Sequence, residues 1–425
     1  MTALGGLSLA AIALLGAPLF TIIAAIALWG FAAEEISAAA FIIELYRMTD
    51  APTLLAIPFF TFAGYLMAEA ETPARLTRLA RAALGWMPGG LAMVTLGTCA
   101  FFTAFSGASG ATIVALGGLL FAALREDGYP ESFSLGLVTT GGGLGLLFPP
   151  SLPLILYGVV AGVSIDHLFL AGIGPGVLII AITAIYCMKV ASASTPRTPF
   201  DIGNLKSALR EAGWELPLPI LILGGIYGGF YTAAEASIVA ALYVLIVEVW
   251  AYHDLDLWDE VPGIARESMI LVGVILVILG AALGLTNYLV DQQAPQRILE
   301  AMRSVSTNRY VFLFGLNLFL LAVGCMMDIF SAIVVVVPLI VPIAKEFGVH
   351  PVHLGIIFLA NLEIGYITPP VGLNLFIASN RFGKPLAEIW RTTLPFLLLR
   401  LAALAIITYF SGLSLAPLEW WSGGR

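Results

Sequence analysis

The chain has 425 residues, 60% of them hydrophobic and 11% charged, with a mean hydropathy of +0.99 and a formal net charge of −8. Soluble domains average about 25% charged residues, so this composition excludes a soluble enzyme, a nucleic-acid binder, a disordered chain and a disulfide scaffold. Apolar runs of about 18 residues or more point to an all-α polytopic membrane protein, because β-barrel strands would alternate apolar and polar residues.

The first apolar run, Leu4 to Phe31, is interrupted at Gly16-Ala17-Pro18 and reads as one kinked helix or two segments, retained rather than cleaved as a signal. Glu34 to Tyr46 reads as a short amphipathic helix and Thr53 to Ala70 as a span. Glu71 to Gly85 carries Arg75, Arg78 and Arg81 among leucines, which predicts a helix at the membrane surface with its basic side toward headgroups. Leu91 to Leu124 is too long for one span and breaks at Ser106 to Gly110. Phe133 to Ile165 breaks between Gly141 and Ser151, and His167 to Val190 is a clean span. Two spans follow, Trp214 to Phe230 and Thr232 to Trp250, then an acidic loop from Asp254 to Glu260 and a third span, Ser268 to Val290. Asp291 to Asn308 is polar and amphipathic. Tyr310 to Ala344 breaks near Gly324 to Ser331, Val352 to Ser379 breaks at Gly365 to Gly372, and Thr392 to Phe410 closes the series.

Two stretches repeat the same order of parts: overlong hairpin, broken helix with Pro-Pro, clean span. Ser106 precedes Pro149 by 43 residues and Asp328 precedes Pro369 by 41, which points to a repeated fold. Placing the first hairpin's ends inside puts twelve basic residues in cytoplasmic loops and five outside, namely Arg47, Arg297, Arg303, Arg309 and Lys345. That bias follows the positive-inside rule and makes the two hairpins enter from opposite faces, although three of the outside arginines cluster near residue 300. The expected fold is an inverted repeat with two re-entrant helical hairpins, two broken helices and about 11–12 membrane segments.

Irregular backbone survives at membrane depth only against protein or a watery cavity. Freed carbonyls there are hard ligands for a small cation, and half-helix N-termini suit an anion. Among the ionisable residues, Asp328 reads as functional or as a helix cap at a hairpin bend, and Glu235 as a cap. Glu363 orients the second break or touches coupled ions, and His350 and His353 read as loop residues rather than metal ligands. The three cysteines form no metal or disulfide pattern, and neither a nucleophile elbow nor a phosphate loop is present.

The motifs AFSGASGATIVALG (104–117), GLLFPPS (145–151), GGIYGGFYTAAEAS (224–237) and NLEIGYITPPVGLNLF (361–376) closely resemble those of the large membrane subunit of tripartite ATP-independent periplasmic (TRAP) transporters. The resemblance runs over essentially the whole chain. It implies an elevator-type secondary transporter of the bacterial inner membrane, driven by sodium ions and using no other cofactor. It further implies a small four-helix membrane subunit, a periplasmic substrate-binding protein and an organic acid substrate. A stand-alone sodium/anion symporter is the alternative, and an intramembrane enzyme using Asp328 with His350 or His353 is a third reading. Carried over by motif, one sodium site comprises Ser106, Ser109, Gly145, Phe148 and Pro149, and a second Gly324, Asp328, Gly365, Thr368 and Val371. Substrate falls near Thr140, Ser151, Asn361 and Asn374. The implied organisation is N-terminal scaffold over 1–90, a first transport half over 91–165 and scaffold with connecting arms over 166–309. A second transport half over 310–391 and a C-terminal helix and tail over 392–425 complete it.

Overall fold

The computed structural model describes residues 17–49, 51–87, 89–191, 200–305 and 307–423, and among them every regular element is helical. The start of the first apolar run lies outside the described residues; α1 (Leu19–Ala33) is its continuation. Glu35, at φ 57°, closes α1 in a left-handed cap, so α2 (Ala39–Thr49) starts later than the sequence suggests. A 3-10 turn leads into α3 (Ala56–Glu69), followed by the amphipathic α4 (Thr72–Leu84).

The overlong runs then break where small residues and prolines predict. The first hairpin is α5 (Gly90–Ser106) and α6 (Ser109–Glu126), and the first broken helix is α7 (Glu131–Gly141) and α8 (Leu152–Ala161). The long α9 (Ile165–Ala191) follows, then α10 (Ile202–Glu211), α11 (Pro217–Tyr227), α12 (Ala233–Ile246) with a π-helical end, α13 (Val261–Asp291) and α14 (Ala294–Val305). The second hairpin is α15 (Arg309–Met326) and α16 (Ile329–Glu346), and the second broken helix is α17 (Pro351–Gly365) and α18 (Leu373–Phe382). The chain ends with α19 (Leu386–Tyr409) and α20 (Gly412–Gly423), the last of which the sequence reading did not anticipate. Among the described residues, eight helical stretches are long and apolar enough to cross a membrane.

Contacts between the two five-helix series are exchanged in pairs. α6 packs on α18 while α16 packs on α8, and α7 packs on α19 while α17 packs on α9. The broken helices run antiparallel: Lys384, just past α18, pairs with Glu131 at the start of α7 at 2.6 Å, and Tyr157 in α8 donates to the Pro351 carbonyl at the start of α17 at 2.8 Å. A second group forms around α3, which packs on α12 and α13 and also touches α5 and α8. The long α9 packs on α5, α8, α17, α19 and α20.

The basic face of α4 is not turned to headgroups as a whole. Arg75 is buried (5% exposed), its guanidinium bonded to Glu215, to Glu248 at 2.9 Å and to Asp254 at 2.6 Å, and stacked 3.7 Å above the Tyr252 ring. Three carboxylates from the α10–α13 region attract this arginine more strongly than lipid does, and only Arg78 and Arg81 remain for the surface. Replacing Arg75 by Met strands three acids together and is expected to cost about 3–5 kcal/mol. Arg78→Met, which breaks an exposed pair with Glu211, is expected to cost about 0–1 kcal/mol. Thermal unfolding in detergent checks the contrast.

Candidate functional site

The first hairpin tip is a two-residue turn, with Gly107 at φ 65° and Ala108 extended. A Cβ on Gly107 would stand 2.6 Å from the Leu152 Cβ, so only glycine lets this tip close against the start of α8. Thr103 donates to the Gly142 carbonyl at 2.9 Å and shares a 2.7 Å hydroxyl contact with Thr112, which ties both hairpin arms to the first break. Gly145 lies directly on the α5 backbone at Ala100 and Ala104, and Phe148 packs on Gly176 of α9. Ser106 and Ser151 are buried, and neither hydroxyl has a protein partner.

The second tip is built differently. Asp328 Oδ1 accepts from the Phe330 and Ser331 amides at 3.0 Å each, capping α16, and Oδ2 takes no part in this cap. Gly324 and Gly365 bring their backbones together, with Gly365 Cα 3.3 Å from the position of a Gly324 Cβ. The Gly372 amide donates to the Cys325 carbonyl at 3.2 Å, and the Ile329 amide donates to Tyr366 Oη at 2.6 Å. Thr368 donates back to Ile364 at 2.8 Å, while Val371 and the second Pro-Pro pair are exposed. Both Pro-Pro peptides are cis.

Of the residues near which substrate was placed, Asn374 meets the first tip, accepting from the Ser109 hydroxyl at 2.8 Å and leaving its amide nitrogen buried without a partner. Asn361 gives its amide hydrogens to Asn317 at 2.7 Å and to Ile357 at 2.8 Å, leaving only its buried oxygen. Thr140 turns its hydroxyl back onto Gly136, and its carbonyl accepts from Arg400. Several polar groups for which the sequence predicts a site are therefore buried and unpaired by protein, a pattern that in native structures calls for a ligand, ion or water.

Sequence reasoning missed the residue at the centre. Arg400, which the inside and outside charge counts leave out, is 2% exposed and bonds both the Glu363 carboxylate and the Thr140 carbonyl. Glu363 in turn lies against Gly143 of the first break. One guanidinium thus joins the ends of α7 and α17, where helix C-termini concentrate negative dipole. The available signal was two opposite charges inside apolar runs, each too costly to bury alone.

Two other assignments change or settle. His353 is no loop residue: it lies inside α17, fully buried, its ring within hydrogen-bond reach of Ser414 at 3.2 Å and the Thr408 carbonyl at 3.3 Å. His350 caps α17 through Nδ1. Glu235 forms a capping box with Thr232.

Comparison with known proteins identifies the family. The profile described as "Tripartite ATP-independent periplasmic transporter, DctM component" matches residues 7–413. The C4-dicarboxylate TRAP transporter large permease protein DctM of Pseudomonas aeruginosa is 38% identical over 380 residues, covering 89% of each chain. The ectoine/5-hydroxyectoine large permease UehC of Ruegeria pomeroyi is 34% identical over 368 residues, 85% of each. The isethionate permease protein DctMQ of Oleidesulfovibrio alaskensis is 38% identical over 370 residues, 86% of this chain and 58% of that one. The Alcanivorax borkumensis YdaH transporter shares the fold, with a TM-score of 0.63 at 13% identity over 88% of this chain and 87% of that one. The chain belongs to the DctM family, the large permease component of TRAP transporters, and is a multi-pass inner-membrane transport protein rather than an enzyme.

Proposed function

We propose that this chain carries an organic acid into the cytoplasm by sodium-coupled elevator transport, receiving it from a periplasmic binding protein and working with a small four-helix membrane subunit. The observation that carries this reading is the pair of antiparallel broken helices, each interrupted beside a hairpin tip and each rich in polar groups unpaired by protein. α7 is 11 residues long, about 16 Å, so its break lies near the middle of a hydrocarbon layer of about 30 Å. A tip that packs on that break is therefore a mid-membrane tip, which supports re-entrant hairpins entering from opposite faces.

The first sodium site comprises Ser106, Ser109, Gly145, Phe148 and Pro149, and the second Gly324, Asp328, Gly365, Thr368 and Val371. The donors are all oxygen, which suits a hard cation of small radius. Two sodium ions offset the charge of the acid during its crossing. Asn374, with free amide hydrogens, and Ser151 suit the substrate's carboxylate, and the unpaired Asn361 oxygen suits a donor group or a cation. The hairpins, broken helices, α9 and α19 move as one body against the group around α3, with α4 and α14 as the connecting arms. Relatives named for C4-dicarboxylates, isethionate and ectoine are similarly distant from this chain, which supports selectivity residing in the delivering protein.

Uptake into proteoliposomes containing this chain, the small subunit and the binding protein tests the reading. Uptake that follows an inward sodium gradient is expected; uptake indifferent to sodium removes the coupling. Uptake by this chain alone, without a binding protein, would favour the stand-alone symporter. Asp328→Asn preserves a good helix cap but removes a charge from the second site. We expect it to fold normally and to need at least about tenfold more sodium for half-maximal uptake, the equivalent of about 1.4 kcal/mol. A purely capping Asp328 would leave the sodium dependence unchanged.

A further inference from the structure

The arms of the second hairpin are apolar on their facing sides yet leave a cavity of about 330 Å³ between them. Phe312, Leu316 and Phe319 of α15 and Val336, Ile340 and Ile343 of α16 line it, and α14 closes one side. Gly315 adds to the space: nothing lies within 4 Å of where its Cβ would stand. The neighbouring outer face of α15 is also apolar and exposed at Val311, Phe314 and Leu318, so the cavity adjoins a surface suited to hydrocarbon.

The second observation is the group of basic residues on what the charge distribution makes the outer side, where the positive-inside rule disfavours them. Arg309 begins α15 three residues before Phe312, on the same helical face as the cavity lining. Lys345 lies near the end of α16, and among the described residues neither Arg309 nor Lys345 is in an ion pair. Arg303 of α14 is held by Glu346 at 3.0 Å, which pins α14 over the same end of the hairpin. An apolar slot with an unpaired cation, Arg309, at the base of one arm has the amphiphilic pattern of a single phospholipid.

We propose that this slot binds one anionic phospholipid, with an acyl chain between α15 and α16 and its phosphate at Arg309. The lipid fills the space that the hairpin's own side chains leave open and so steadies the arms that carry the second tip. Arg309, which looks misplaced as a topology signal, is then a headgroup ligand.

Proteoliposomes of the full chain, doped with phosphatidylglycerol or phosphatidylcholine bearing a diazirine on the acyl chain, test this by photolabelling and peptide mass spectrometry. Peptides spanning 312–319 and 336–343 are expected to be labelled by phosphatidylglycerol at least about fivefold more than by phosphatidylcholine, the preference that one basic contact gives. The exposed face of α13 at Ile270 and Val274 should show no such preference. Gly315→Leu places a side chain in the slot from a position whose Cβ meets nothing, and raises helix propensity; it should remove the phosphatidylglycerol preference at both hairpin peptides. Arg309→Gln should lower labelling by phosphatidylglycerol toward the phosphatidylcholine level. Equal labelling by the two lipids, or a phosphatidylglycerol preference that survives Gly315→Leu, would overturn the site. None of these readouts depends on sodium or on transport, so failure here is distinct from failure of the transport reading.

Discussion

Arg400→Met is expected to destabilise the protein by about 3–5 kcal/mol and to abolish uptake, because it leaves the Glu363 carboxylate buried with no cation. The Thr140 carbonyl loses its donor in the same step, so the end of the first broken helix is left with an unsatisfied acceptor. The paired change Glu363→Gln with Arg400→Met removes both charges and should recover most of the lost stability, since a buried pair contributes little net energy beyond its own desolvation. Uptake should nevertheless stay low in the double variant, because the tie between the two breaks is gone. Thermal unfolding in detergent and uptake in proteoliposomes separate the two effects. A single Arg400→Met variant as stable as the parent would show that Glu363 finds another partner.

Gly365→Val is expected to abolish uptake while leaving membrane insertion intact. A Cβ at Gly365 would fall 2.7 Å from the Gly324 carbonyl oxygen, with other Gly324 backbone atoms closer still. A side chain could swing away from such an overlap, but backbone cannot, so the cost should exceed the usual overpacking penalty of about 1–3 kcal/mol. The second tip and second break would be forced apart at the residues proposed to share a cation. Gly273→Ala is the control: it lies in α13, nothing stands within 4 Å of its Cβ position, and it should transport normally. Equal activity in the two variants would show that the Gly324–Gly365 approach is dispensable.

Helix breaks were the most legible part of the sequence. Ser106-Gly107-Ala108-Ser109 and Gly324 to Ser331 combine small residues with helix-capping ones, which ends the hairpin helices, and each Pro-Pro pair removes backbone donors within a break that begins at the glycines ahead of it. Capping by Glu235 was readable for the same reason, as a Thr three residues ahead of a Glu. Partnerships across the fold were not. The basic pattern of α4 suggested a lipid-facing side, yet Arg75 is paired with acids 140, 173 and 179 residues away, which no local periodicity reveals. His353 was misread as a loop residue, whereas Pro351 stands in the first turn of α17, a position to which proline is well suited, and starts the helix ahead of it. Glu363 stood out in an apolar run, but nothing in the sequence shows that it faces Arg400, 37 residues away.

Two cation sites of different make-up are the centre of the proposed mechanism, and sodium binding to the purified chain tests them most directly. Titration with radioactive sodium in detergent should reveal two saturable sites. Asp328→Asn should weaken one of them, and Gly145→Val, which drives a side chain into the α5 backbone, should remove the other. A chain that binds no sodium, or one in which both variants keep both sites, would contradict coupling at the paired breaks.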